Sequence, residues 1–343
     1  MLAWCDWIET EAGRPAGEAW QGLVSRVRAA LTQETPAHAV IQPFLDPLVR
    51  GDGQVAAVLF YGSCLFSRTN TRTSFPDFYV LVDDLDRYHT SRWHAVINRV
   101  LPPNVYYADL KGEPAPCSQG GVFFGGGRFK FCVMSMAQFV AETSDRARDI
   151  HHLGRFSKRI ALAWSRDEQA ESTVVRGNLS AMLTLVPHAL TLLPRSFTLE
   201  QFILQQLGLS YLGEQRVAEP DKVRGLMEGA LEFYRDVYSG VLELHALRCG
   251  GPRRASSGDR YEQPAPGPAH VRRTQAFLKR SRLRGVLRWP KYILTVDNWV
   301  DYLLEKLERH HGVHIELTER QRRYPLIFGW PVYFEMRRRG IVK

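Results

Sequence analysis

The sequence predicts an α+β protein: a small mixed sheet with helices in the first half, a mainly helical second part, and a basic C-terminal tail. Three observations carry this expectation. Short apolar runs rich in strand formers lie at residues 55–61 and 77–83. The apolar period turns helical between residues 136 and 247. Between Arg272 and Lys291 there are eight basic residues and no acid.

Taken in order, residues 17–50 place Trp20, Leu23, Val24, Val27 and Leu31 at helical spacing, then pass Pro36 and Pro43 before Gly51-Asp-Gly, which predicts a helical lead-in. The runs at 55–61 and 77–83 read as neighbouring buried strands. Residues 120–127 form a glycine-rich turn into Arg128-Phe-Lys-Phe-Cys-Val-Met134, whose alternation suits a half-buried strand. Apolar stripes across 172–193, 198–208 and 222–246 predict helices. The Gly-, Ser- and Pro-rich stretch 250–270 reads as an exposed linker. The expected division is therefore 1–150 for the sheet with its helical lead-in, 151–248 for a helical domain completing a cleft, 249–270 for the linker and 271–343 for a basic amphipathic region.

The 343 residues leave room for two compact domains, and an apolar share of 45% excludes disorder of the whole. Cysteines 5, 64, 117, 132 and 249 show no metal-ligand spacing, and their odd number suits free, mostly buried thiols in a reducing compartment. The opening residues place acids where a signal or transit peptide needs positive charge, so neither secretion nor organelle import is expected and the cytoplasm is the default. The best apolar run, 180–193, is interrupted by Pro187 and His188 and falls short of a bilayer span, so an encounter with a membrane would be peripheral.

The chemistry centres on Tyr61-Gly62-Ser63 at the end of one strand and Asp77 at the start of the next. Glycine lets the backbone approach a phosphate closely, amides and a hydroxyl donate to it, and a neighbouring carboxylate can hold Mg²⁺. That is the layout of polymerase-β-like nucleotidyltransferases. On its own the pattern also fits a hairpin with a turn carboxylate. Asp83 would lie about 20 Å from Asp77 along a straight strand, so one metal cannot bridge them; Asp83 and Asp84 read as loop carboxylates or a cap for the next helix. Tyr79 stands where many superfamily members carry a second acid.

The segments Phe60-Tyr-Gly-Ser-Cys-Leu-Phe66, Asp77-Phe-Tyr-Val-Leu-Val-Asp-Asp84 and Tyr88-His89 together resemble the mitochondrial-type CDP-diacylglycerol synthases, the phosphatidate cytidylyltransferases of the translocator assembly and maintenance family. The resemblance continues in order through Gly127-Arg-Phe-Lys130, Leu153-Gly-Arg-Phe-Ser-Lys158, Leu193-Pro-Arg-Ser-Phe197 and Leu207-Gly-Leu-Ser-Tyr-Leu-Gly-Glu-Gln-Arg216, covering residues 55–245. Cys64 replaces a family glycine, and Tyr88 replaces the tryptophan of a Trp-His pair.

The resemblance implies a CTP:phosphatidate cytidylyltransferase that makes CDP-diacylglycerol and pyrophosphate with Mg²⁺. Asp77 would be metal ligand and catalytic residue, with Lys130 catalytic beside it. Tyr61, Gly62, Ser63, His89, Arg155 and Lys158 would contact the nucleotide. Ser210, Tyr211 and Arg216 either line the cleft or brace a helix. CTP, phosphatidic acid and an anionic membrane surface are the implied partners, and nucleic acid is not expected. Two alternatives stay open: transfer to another lipid or soluble phosphate, and an inactive basic scaffold that binds nucleic acid.

In the tail, arginines interleave with apolar residues, so Arg280, Arg282, Arg284, Arg288, Trp289 and Lys291 are expected at an anionic lipid surface. A basic helix on the protein surface is the other reading. Tyr324-Pro-Leu-Ile-Phe-Gly-Trp-Pro331 is either a membrane wedge or a packed return to the core. With no import signal expected, the cytoplasmic face of a bacterial inner membrane is favoured over a mitochondrial one.

Overall fold

The computed structural model describes residues 4–11, 13–34, 36–49, 53–65, 76–110, 128–213, 220–256, 258–295, 315, 317–323, 328 and 330–338. The chain forms two compact units, Met1–Trp289 and Pro290–Lys343. The boundary expected near residue 150 falls inside the first of them.

The lead-in splits into three helices, α1 (Trp4–Thr10), α2 (Pro15–Thr32) and α3 (Pro36–Val49). Proline opens α2 and α3, where its missing N–H costs no hydrogen bond. The core sheet comprises β1 (Val55–Tyr61), β2 (Asp77–Val82), β3 (Asn104–Asp109), β4 (Arg128–Ser135) and β5 (Ala161–Ser165), in the order β3-β4-β2-β1-β5. β2 and β4 run parallel and the other neighbours antiparallel, so the sheet is mixed as expected. Between β2 and β3 lie α4 (Leu85–Tyr88) and α5 (Arg92–Val100), and α6 (Met136–Glu142) and α7 (Ile150–Phe156) follow β4.

Both faces of the sheet are covered, which is why β1 and β2 read as continuous apolar runs rather than alternating ones. Val58, Phe60, Phe78, Val80, Val82, Phe129 and Val133 meet Ile41, Phe44, Leu45 and Leu48 of α3 on one face. On the other face Tyr79 is fully buried against Tyr61, His152 and Phe156.

The helical part consists of α8 (Glu168–Leu192), α9 (Leu199–Gly213), α10 (Pro220–Glu228) and α11 (Leu231–Cys249). The stripe expected across 222–246 is thus two helices, parted at Gly229-Ala230. The expected linker needs correction as well. β7 (Arg253–Arg254) and β8 (Arg260–Glu262) form a three-stranded sheet with β6 (Ser196–Thr198). Tyr261 is buried there and stacks on Phe197 at 5.8 Å, an apolar anchor that a free linker lacks.

The basic stretch forms α12 (Pro268–Thr295). Thr274 and Phe277 fix it to α8: His188 Nδ1 lies 2.9 Å from the Thr274 hydroxyl, and its ring stacks on Phe277 at 4.6 Å. The second unit includes α13 (Glu319–Arg323) and α14 (Trp330–Arg338). Among the described residues no helix is long and apolar enough to cross a membrane. The thiols of Cys64 and Cys132 are buried, whereas that of Cys249 is exposed.

Burial, with the Arg280 charge nearby, pushes the His188 pKa down to about 4. Its folded-state pKa lies below the unfolded value, so its contribution to stability is full above about pH 6.5 and is lost as pH falls from there towards 4. The melting temperature should therefore drop between pH 7 and 5. In His188→Phe the dependence of stability on pH should be shallower by up to about 1.4 kcal/mol per pH unit, read by thermal melts across that range. An unchanged slope would contradict this. His152 and His245 are also held down by burial, so part of the slope remains in the variant.

Candidate active site

The site begins with the register of three strands. β1 ends where β2 begins, with Tyr61 opposite Asp77, and the parallel partner β4 brings Lys130 opposite Asp77 from the other side. Directly paired residues on neighbouring strands share a face, so Tyr61, Asp77 and Lys130 project the same way. Lys130 Nζ lies 3.1 Å from Asp77 Oδ1, and both side chains are about a quarter exposed, at 24% and 29%. Neither is sealed in the core.

Gly62 then turns the chain with φ +94°, a conformation that favours glycine, and a Cβ at this position would lie 3.1 Å from Asp77 Oδ2. Ser63 follows in a short 3₁₀ turn over Ser63–Leu65.

Helix α7 supplies the next cation. Arg155 Nη1 donates to the Tyr61 hydroxyl at 3.0 Å, and the guanidinium sits over the Tyr61 ring at 5.6 Å. Burial raises the Tyr61 hydroxyl well above its usual pKa, with Cys132 and Asp77 reinforcing the shift and Arg155 opposing it. The phenol stays protonated and is available as a hydrogen-bond donor. Lys158, just beyond α7, places its ammonium 4.6 Å from the centre of the Tyr211 ring on α9. At Gly154 a Cβ would come within 2.5 Å of Ser210 Cβ, so only glycine lets α7 and α9 approach this closely. Ser210 braces its own helix, donating to Leu207 O at 2.9 Å; Tyr211 faces Lys158, and Arg216 lies outside the described residues.

Not every expected contact assembles. His89 is buried, with Nε2 3.2 Å from the Asn98 amide and Nδ1 3.3 Å from the Tyr106 hydroxyl. Asn98 in turn donates to Val133 O, three residues beyond Lys130 along β4 and about 10 Å away by strand rise. The ring is thus part of a buried polar group with Asn98 and Tyr106. Asp84 caps α4, accepting from the Asp86 amide at 2.8 Å, and Asp83 pairs with Arg166, so both acids serve the far end of β2.

The tail also needs correction. Arg284 and Arg288, expected at lipid, turn inwards onto the buried carboxylate of Asp149, at 2.6 and 2.9 Å. Lys291 is buried too, whereas Arg280 and Arg282 are exposed; the Trp289 side chain lies outside the described residues. A helix resting on a protein spends one face on that contact, and composition alone does not say which.

Among the described residues no group of three or more His, Cys, Asp and Glu side chains is placed to hold a metal. Tyr79, two residues along β2 from Asp77, is an aromatic ring at 0% exposure. A metal here would take Asp77 from the protein and its remaining ligands from phosphate oxygens and water, a set that suits Mg²⁺, which keeps several waters and is commonly bound through one or two carboxylates and substrate phosphates.

A five-stranded mixed sheet that brings a carboxylate, a glycine turn, a lysine and an arginine to one strand end, with helices packed on it, defines an α+β protein. The chain belongs to the mitochondrial phosphatidate cytidylyltransferase family, whose model matches residues 48–263. It is similar to the mitochondrial phosphatidate cytidylyltransferase of Xenopus laevis, with 26% identity over 213 residues covering 55% of this chain and 59% of the relative. The human protein of the same name is 21% identical over 203 residues, covering 55% of this chain and 44% of the relative. The chain thus spans about half the length of the relatives it matches. The family and both relatives are described as mitochondrial, which favours that setting and overturns the expectation of a bacterial inner membrane reached from the cytoplasm.

Proposed function

We propose that this chain transfers a cytidylyl group from CTP to phosphatidic acid, producing CDP-diacylglycerol and pyrophosphate, on a sheet of the polymerase-β-like nucleotidyltransferase type. The observation that carries the reading is the junction of Asp77, Lys130, Gly62 and the Tyr61–Arg155 pair at the ends of three adjacent strands.

A phosphate monoester is already ionised near neutral pH, so it can attack the α-phosphorus of CTP without a general base, and catalysis reduces to placement and charge neutralisation. The oxygen–phosphorus bond forms as the bond to pyrophosphate breaks. Gly62 leaves room for a phosphate beside the backbone, while Lys130, Arg155 and Lys158 offset the charge gathered on the two reactants and the departing pyrophosphate. Asp77 is the ligand for Mg²⁺, which when bound polarises the phosphoryl oxygens.

The outward face of α12 suits a substrate that stays in the bilayer. Leu283, Val286 and Leu287 are 62%, 45% and 55% exposed, and Lys279, Arg280 and Arg282 are exposed on the same helix. This is an arrangement for peripheral contact with anionic lipid. In the second unit Phe328, Trp330 and Phe334 expose further apolar surface.

The test is release of pyrophosphate from CTP with Mg²⁺ and vesicles containing phosphatidate. Turnover that needs phosphatidate and prefers CTP is the expected result. Turnover with a soluble phosphate monoester alone would move the acceptor, and none with any of the four nucleoside triphosphates would overturn the reading.

A further inference from the structure

Helix α7 carries Arg155 in its last turn, and an ionic cluster holds its first. Asp149, at 0% exposure, caps the helix by accepting from the His151 amide at 2.9 Å. The same carboxylate receives Arg284 Nε at 2.6 Å and Arg288 Nη2 at 2.9 Å, both from α12. Ser281, also on α12, accepts from the Ile150 amide at 3.0 Å. Two leading amides of α7 are therefore satisfied by groups that belong to α12 or are held by it. Burial pushes the Asp149 carboxyl up, but Arg288, His152 and Arg284 outweigh it, so the group is held below its usual carboxylate value and stays ionised.

The energetics say what such a cluster is for. Apolar side chains of similar volume would hold two helices together at least as well, because taking charges out of water offsets most of their attraction. What two arginines donating to one carboxylate oxygen add is directional constraint on register and orientation. At the other end of α7, Gly154 lies against Ser210 with no room for a Cβ. The helix is thus pinned at both ends, and Arg155 stands six residues, about 9 Å of helix, from the clamp.

We propose that Asp149, gripped by Arg284 and Arg288, is a positioning residue of the active site: it sets the place of α7 and thereby of the Arg155 guanidinium on Tyr61, the strand partner of Asp77. The inference rests on the reading of Arg155 as a phosphate-binding group, and the experiment separates the two. CTP affinity in the presence of Mg²⁺ is measured by calorimetry for the full chain, Asp149→Asn, Arg155→Ala and the double variant. Asparagine caps helices as well as aspartate does, so the helix start is retained while the charge is lost.

The expected result is about tenfold weaker CTP binding in Asp149→Asn, with less than a twofold further effect of that change once Arg155 is alanine. A purely structural role would lower the melting temperature of Asp149→Asn and leave CTP affinity unchanged, or give effects that multiply in full, and either outcome overturns the proposal. If Arg155→Ala binds CTP like the parent chain, the reading of Arg155 itself falls, and the proposal falls with it. Should Asp149→Asn not fold, Arg284→Gln removes one partly exposed arm of the clamp, and the same cycle with Arg155→Ala decides.

Discussion

Asp77→Asn should lower turnover by about 10³-fold while leaving the fold intact. The side chain is 29% exposed, and the substitution preserves its shape, so the loss reports on charge rather than on packing. The neutral amide no longer serves as an anionic ligand for Mg²⁺, and Lys130 loses the carboxylate 3.1 Å away. Pyrophosphate release under saturating CTP is the measurement, with thermal melts as the control. Activity within tenfold of the parent chain would show that Asp77 is not the metal ligand and would detach the strand-end cluster from the chemistry.

Lys130→Met is expected to act on the same step from the opposite sign of charge. Removing a cation beside the reacting phosphates should cost about 10²- to 10³-fold in kcat/KM, because two anionic reactants then meet next to a carboxylate that lacks its ammonium neighbour. The same variant should bind a divalent cation more tightly in the absence of nucleotide, since Asp77 is released from competition with Nζ. Titration with Mn²⁺, followed by its paramagnetic signal, reads this without turnover. Tighter Mn²⁺ binding together with unimpaired turnover would mean that Lys130 merely pairs with Asp77.

Much of the site was legible because it is local or nearly so. Tyr61-Gly62-Ser63 and Asp77 lie at the ends of two strands whose apolar runs identify them, and antiparallel pairing of those strands makes the ends meet. The ordered family resemblance supplied Lys130, Arg155 and Lys158, whose types alone would also suit solvated surface charge. His89 shows the limit of that route: its match to the family is in sequence, but its ring is spent on Asn98 and Tyr106 within the core. The strands β3 and β5 were missed for a different reason. β3 is a short run directly after Pro102-Pro103, and β5 is five residues set in a stretch of helical period, so each is stabilised by its neighbours in the sheet more than by its own pattern.

By itself the sequence determined the α+β class, the two central strands, the helical character of the second part and the pairing of a glycine turn with a carboxylate, because propensity and apolar period act over a few residues. Only the tertiary structure decided that Arg155 reaches Tyr61 across 94 positions, and that Arg284 and Arg288 face Asp149 rather than solvent, across 135 and 139 positions. A charged side chain on an amphipathic helix carries no local mark of its partner. Which face it serves is settled by what the folded chain brings opposite it, and a buried carboxylate draws an arginine inward because leaving it unpaired costs far more than leaving one surface cation fewer.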